Sequence, residues 1–223
     1  MPQLLRVQNF TVSTDGFGAG EGQSLERPFG SADPGALMAW AFGTASFPNR
    51  TAPGGSRGLD DYFTRDFANN IGAEIMGRNK FGPQRGPWTD HEWQGWWGDE
   101  PPFGHPVFVL TSTAPRPSIE MSGGTTFHFR SAPVEEVLAE AREAAGGQDV
   151  RVGGGVSTAR AYLTAGLVDD LHVMVAPILL GRGERLWDDL RGLEQTHDVR
   201  SEVADSGTIH VTFTRQDASR DAS

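Results

Sequence analysis

Three strand-like stretches end in residues that can bind an anion. The first runs from Asp149-Val150-Arg151-Val152 into Gly153-Gly154-Gly155-Val156-Ser157. Consecutive glycines let the backbone turn tightly and let a ligand approach closely. If a helix follows, its free N–H groups and its dipole suit a phosphate or diphosphate, and Ser157 and Thr158 add hydroxyl donors. The pattern is not GxGxxG and it falls late in the chain, so a turn that needs glycine only for its dihedrals reads equally well. The second stretch is Met76-Gly77-Arg78-Asn79-Lys80, where a strand-end glycine precedes two positive charges. Arginine can hold a phosphate bidentately, although this pair taken alone reads better as a solvated basic pair. The third is Thr111-Ser112-Thr113, which adds hydroxyls. Ligands of open α/β sheets gather at the carboxyl ends of strands, so glycine, cation and hydroxyl at three such ends point to one shared anionic ligand.

Other chemistries find less support. The chain has no cysteine, which excludes disulfides, thiolate metal sites and a cysteine nucleophile. Its six histidines are scattered, with none at metal-ligand spacing to another, and no metal site is expected. A formal net charge of -10 repels phosphate backbones, so nucleic acid is not an expected partner. No apolar run approaches the roughly 18 to 20 residues that span a bilayer, and the N-terminus lacks the pattern of a signal peptide. The expectation is a cytoplasmic protein without a membrane partner.

The elements that must carry these residues follow from pattern. Strands are expected at residues 5–13, 73–77, 107–111, 125–129, 149–152 and 170–176, with a closing antiparallel pair near 200–203 and 208–214. Helices are expected at 35–47, 60–70, 134–145, capped by Ser131, and 157–166, closed by Gly166. Long loops cover 16–35, 48–58 and 80–106. The last holds Trp88, Trp93, Trp96 and Trp97, read as packing in preference to a lid. Strands alternating with helices favour a mainly parallel sheet covered on both faces. No linker divides the chain, so residues 1–216 read as a single domain and 217–223 as a polar tail.

Several segments together resemble the dihydrofolate reductase-like superfamily, in its branch related to the C-terminal reductase domain of bacterial riboflavin biosynthesis. They are Val12-Ser13-Thr14-Asp15-Gly16-Phe17, Ile75-Met76-Gly77-Arg78, Val107-Phe108-Val109-Leu110-Thr111, Arg151-Val152-Gly153-Gly154-Gly155, and Ala176-Pro177-Ile178-Leu179-Leu180-Gly181-Arg182-Gly183. The resemblance runs from about residue 5 to residue 214. It implies a three-layer αβα fold with a mostly parallel mixed sheet and an antiparallel C-terminal edge. It also implies NADPH, with the diphosphate at Gly153, Gly154, Gly155, Val156 and Ser157, and the 2′-phosphate end near Gly77, Arg78, Asn79, Thr111 and Ser112. The nicotinamide would lie near Thr11, Val12, Ala19 and Val152. A small substrate would sit against Phe17, Trp40, Phe42, Pro177, Leu179 and Leu180, and relatives imply a homodimer.

One departure bears on the reaction. Folate reductases carry an acid on the first helix, whereas Ala36-Leu37-Met38-Ala39-Trp40 contains no Asp or Glu. Asp15, Asp33 or a bound water are then the candidate proton donors. The expected activity is hydride transfer from NADPH to a C=N or C=O bond of a small, heterocyclic substrate of pterin or flavin-precursor type. Two alternatives stand beside it: an NADPH-binding module without turnover, and a folate reductase with a displaced acid.

Overall fold

A computed structural model describes residues 2–47, 54–82, 84 and 86–216. The expected tail at 217–223 and residues 48–53 of an expected loop lie outside them. The strands are β1 (Leu5–Ser13), β2 (Phe17–Ala19), β3 (Ile71–Gly77), β4 (Pro106–Leu110), β5 (Ile119–Glu120), β6 (Thr126–Arg130), β7 (Asp149–Gly154), β8 (Asp170–Ala176), β9 (Glu184–Arg185), β10 (His197–Val203) and β11 (Ile209–Arg215). The helices are α1 (Pro34–Leu37), α2 (Ala39–Phe42), α3 (Leu59–Arg65), α4 (Arg78–Phe81), α5 (Val134–Ala144), α6 (Val156–Thr164) and α7 (Leu193–Thr196).

One nine-stranded sheet runs β10-β11-β8-β1-β7-β3-β4-β6-β5. Its centre, from β8 to β6, is parallel. β11 and β10 close one edge antiparallel, and β5 closes the other. β2 and β9 form a separate two-stranded ribbon. The parallel strands are buried on both faces, as their near-continuous apolar sequences require. Alternate side chains go to opposite layers. Ile75 and Phe108 meet α5 and α6 through Val137, Leu138, Ala141, Ala159 and Tyr162. Met76, Val107 and Val109 face the other way, toward Phe81, Phe127 and Phe129, with Trp88, Trp93 and Trp97 packed outside them. Further along that second face, Met174 of β8 packs with Trp40 and Ala41 of α2 and with Phe63 of α3. The result is a three-layer αβα arrangement with a mixed, mostly parallel sheet.

Local differences from the sequence reading have physical causes. The expected helix at 35–47 is two four-residue helices divided at Met38. Pro34 opens the first, and the Asp33 carboxylate caps it by accepting from Gly35 N at 2.8 Å. Ser131 does not cap α5; Pro133 occupies that position, with no side-chain cap bond. β7 continues into the glycines as far as Gly154, because β3 pairs with it to that point. β2, β5 and β9 are too short to show a period, and α4 is a single turn at the end of β3. No helix among the described residues is long and apolar enough to cross a membrane.

Gly72 of β3 sets how closely the end of α5 approaches the sheet. A Cβ there would come 2.4 Å from the Ala145 carbonyl oxygen and 2.8 Å from Gln148 Cβ. Gly72→Ala is therefore expected to cost about 1–3 kcal/mol through overpacking. Urea denaturation measures this, and an unchanged midpoint would show that the α5 terminus yields freely.

Candidate active site

The sheet opens between its two central strands. Pairing of β1 with β7 ends at Arg6↔Arg151, while β1 stays paired with β8 to Ser13↔Ala176 and β7 stays paired with β3 to Met76↔Gly154. The separation begins at a register shift between Val7 and Phe10, where Asn9 has a φ of 54°. A non-glycine residue in this region needs support. The support is a buried polar chain. Asn9 Nδ2 donates to Phe63 O at 3.1 Å, and Asn9 Oδ1 lies 3.0 Å from His172 Nδ1. His172 Nε2 lies 3.0 Å from His210 Nδ1, and His210 Nε2 lies 2.8 Å from Asp60 Oδ1. The Phe63 ring stacks on both imidazoles, with centroids 3.7 and 4.7 Å away. Burial, with His210 alongside, pushes His172 down to about 3. Burial also holds His210 below its usual value, against the pull of Asp60.

Beyond the opening lies a cleft of about 840 Å³. Gly153 to Ser157 form one wall. Gly77, Arg78 and Asn79 enter from the end of β3, Thr111 and Ser112 from the end of β4, and Thr11 and Ala19 from the β1 side. The structure thus brings together the three strand ends whose residues pointed to a shared ligand. α6 starts at the wall with Gly155 as its N-cap and no side-chain cap bond. The first N–H groups of a helix have no intrahelical partner, so uncapped they offer donors to an anion. Arg78 stacks over the Trp88 ring at 3.8 Å and donates to Thr113 Oγ1 at 2.9 Å. Phe10, Phe29, Leu37 and Met38 add apolar side chains to the lining.

Val12 and Val152 do not line the cleft; both side chains are fully buried in the core shared with α5 and α6. The six residues expected at the substrate also lie outside the lining. Trp40 is buried beneath it and donates from Nε1 to Thr11 Oγ1 at 3.0 Å, so it supports a wall residue. Phe42 is exposed and packs edge-on against Phe47. Phe17 sits in the β2–β9 ribbon beneath the Arg185 guanidinium. Pro177, Leu179 and Leu180 are held away by bonds to the turn after β1. Thr14 N donates to Ile178 O at 2.9 Å, and the Asp15 carboxylate accepts from Leu180 N and Gly181 N at 3.1 and 2.7 Å. The Ser13 hydroxyl and these amides hold the Asp15 carboxyl down at about 2. Asp15 is thus an ionised anchor, and Asp33 is a helix cap; neither lines the cleft as a proton donor.

Sequence reasoning missed the group beneath the glycine wall. Glu74 of β3 is fully buried. Its carboxylate accepts from Arg151 Nε at 3.0 Å, from Arg151 Nη2, and from Lys80 Nζ at 3.1 Å. Lys80 Nζ also donates to Gly153 O at 2.6 Å. Burial alone would raise the Glu74 carboxyl, but the two cations overcome it and hold the group below its usual value. Burial pushes Lys80 down, against the pull of Glu74. A Cβ at Gly153 would fall 2.0 Å from Glu74 Oε1 and 2.6 Å from Lys80 Nζ. Gly153 is therefore glycine because the ion cluster fills its side-chain space. The tryptophan loop was also read only in part. Trp88, Trp93 and Trp97 pack on the body, while Trp96 and Trp97 reach the cleft. Arg116 fastens this loop by donating to His91 O and Trp93 O at 2.6 and 2.9 Å.

Residues 7–210 match the family described as the RibD C-terminal domain. Among solved structures, a putative riboflavin biosynthesis protein from Shewanella sp. PV-4 has a TM-score of 0.53 at 20% identity, covering 97% of this chain and 100% of that one. A pyrimidine reductase-like protein from Corynebacterium diphtheriae has a TM-score of 0.50 at 14% identity, covering 97% and 92%. A diaminohydroxyphosphoribosylaminopyrimidine deaminase/5-amino-6-(5-phosphoribosylamino)uracil reductase from Thermotoga maritima has a TM-score of 0.50 at 13% identity; the match covers 96% of this chain but 57% of that one. At such identities the likeness is one of fold. No match was found among curated proteins.

The buried histidines predict a pH response. Each is kept neutral when folded, below its ordinary value of 6.5. The unfolded chain then binds more protons, so their contribution is complete above about pH 6.5 and is lost as pH falls below it. Chemical denaturation between pH 7 and 5 should show falling stability, with a smaller fall in His172→Gln. Equal slopes in the two proteins would show that His172 carries none of this response.

Proposed function

Because the chain belongs to the RibD C-terminal domain family, a branch of the dihydrofolate reductase-like superfamily, we propose that it is an NADPH-dependent reductase acting on a C=N or C=O bond of a small heterocyclic substrate. The observation that carries this reading is the opening of the sheet between β1 and β7 onto an uncapped α6, with a cation and hydroxyls at the neighbouring strand ends. The cleft volume of about 840 Å³ lies within the range of cofactor and ligand pockets.

The residues present suit the dinucleotide. The glycine wall and the start of α6 would hold its diphosphate through backbone N–H groups. Arg78, Thr111, Ser112 and Thr113 would hold the 2′-phosphate, with Arg78 already fixed in place by its stacking on Trp88. The apolar side chains of Phe10, Phe29, Leu37 and Met38 would take the flat rings and exclude water from them. When bound, NADPH supplies a hydride. The chain's own work is to hold the two reacting carbons together, which can account for several kcal/mol of barrier.

Fluorescence titration with NADPH and NADH, followed by a panel of pterins, aminopyrimidines and carbonyl compounds, tests the reading. NADPH should bind more tightly than NADH. Arg78→Ala should weaken NADPH by about 10- to 100-fold, the effect of one charge-assisted contact, and NADH by much less. Equal losses would remove the 2′-phosphate assignment. NADPH that binds without being oxidised by any compound of the panel would instead favour a binding module without turnover.

A further inference from the structure

Lys80 is the only lysine among the 19 lysine and arginine residues of the chain. It lines the cleft. Its stem passes Gly154, where a Cβ would lie 3.8 Å from Lys80 Cδ and 3.6 Å from the Phe10 ring. An ammonium has three N–H donors. Glu74 Oε1 and Gly153 O accept from Nζ at 3.1 and 2.6 Å, which leaves one N–H for the cleft. Arg78 and Glu184 are the other side chains in the described lining with a formal charge at neutral pH. Arginine does not release its proton, and a carboxylate has none to give. Asp15 and Asp33 are committed elsewhere.

We propose that Lys80 is the proton donor of the cleft, giving an Nζ proton to the nitrogen or oxygen of the bond being reduced. This rests on the reductase reading above. When hydride reaches the carbon of a C=N or C=O bond, the π pair moves onto the heteroatom. That atom takes a proton from Nζ, the N–H bond breaks, and the electron pair of that bond stays on the nitrogen. The neutral amine keeps two N–H groups, the number needed to go on donating to Glu74 and Gly153. The holding bonds therefore survive the transfer, and solvent at the cleft mouth restores the third proton. Groups acting on the ammonium are Glu74 of β3, which favours its charge, and Arg151 of β7, which opposes it; Arg78 of α4 and Glu184 of β9 share the cleft. A lysine acidified by burial is a better donor near neutral pH than one in water.

A lone lysine makes the test direct. Protein grown with lysine labelled with ¹³C at Cε has a single lysine ε-methylene signal, which reports the ionisation of Lys80. The intact chain is titrated free, with NADPH and with NADP⁺. The oxidised ring is cationic and the reduced ring neutral, so an ammonium beside it should lose its proton at lower pH in the NADP⁺ complex. Equal midpoints in the two complexes, or no response to a dinucleotide that fluorescence shows to be bound, would overturn the assignment while leaving the reductase standing. Failure of both dinucleotides to bind would remove the reductase reading and this one with it. Lys80→Met should keep NADPH affinity within about threefold and slow reduction of whichever panel compound is consumed by about 10²-fold or more. A tenfold loss of NADPH affinity would make Lys80 a phosphate anchor, and undiminished reduction would exclude it as the donor. If no compound is reduced by the unmodified protein, the reductase reading falls and carries this assignment down with it.

Discussion

A carboxylate buried with no solvent exposure must be paired, and at Glu74 that requirement organises the site. Arg151 reaches it from β7 and Lys80 from α4, so one charge fixes β3, β7 and the turn after β3 against one another. Arg151 also donates to Phe67 O and lies 3.9 Å over the Phe67 ring, which draws in the segment following α3. Removing Glu74 would leave buried cations without compensation, a loss of about 3–5 kcal/mol in comparable pairs. The same carboxylate occupies the space where a side chain at position 153 would stand. The glycine wall and the ion cluster are thus two aspects of one packing solution. A change at Glu74 or Arg151 would be felt in the shape of the cleft as well as in its charge.

The opposite wall is set by a different device. Once β1 leaves β7, its exposed edge needs something to hold it apart, and Asn9 supplies the bend. Asp60, His210 and His172 hold the Asn9 carboxamide from below, with Phe63 stacked against both rings. These groups come from α3, β11 and β8, so the opening is braced by regular elements and not by loops. Sites held in this way lose less order when a ligand arrives. The two walls differ in kind. One is tied by opposite charges that attract over several ångströms, the other by short directional contacts through two imidazoles that burial keeps neutral.

The parallel strands and the glycine turn were legible because their signals are local. β3, β4 and β8 are runs of apolar and β-branched residues, and the turn is three consecutive glycines between a strand and a helix. The fold class followed from their alternation with α5 and α6. The ion cluster was not legible, because 77 residues separate Glu74 from Arg151 and neither position departs from what a strand allows. The available hints are an acid inside an otherwise apolar strand, Ile71-Gly72-Ala73-Glu74-Ile75-Met76, and a base between two valines, Val150-Arg151-Val152. The apolar lining was missed for another reason. Leu37 and Met38 belong to helical turns too short to have a period, and Phe10 reads as an ordinary strand residue. The residues expected at the substrate were drawn from resemblance, and the bonds from Asp15 to Leu180 and Gly181 carry the Pro177 segment elsewhere.

The choice of lysine at position 80 is informative because arginine serves everywhere else in this chain. A guanidinium would pair with Glu74 at least as well, and its planar fork suits carboxylates. It is also far bulkier at its head and holds its protons at any ordinary pH. The space between Glu74 and Gly153 accepts a single nitrogen that reaches one oxygen on each. A compact head on a flexible stem fits that gap, and burial can then shift its ionisation, which no environment does usefully for arginine. A purely structural cation would need the compact head but not the shifted ionisation. Position 80 therefore combines a charge that satisfies Glu74 with a head group that, unlike a guanidinium, is able to release a proton.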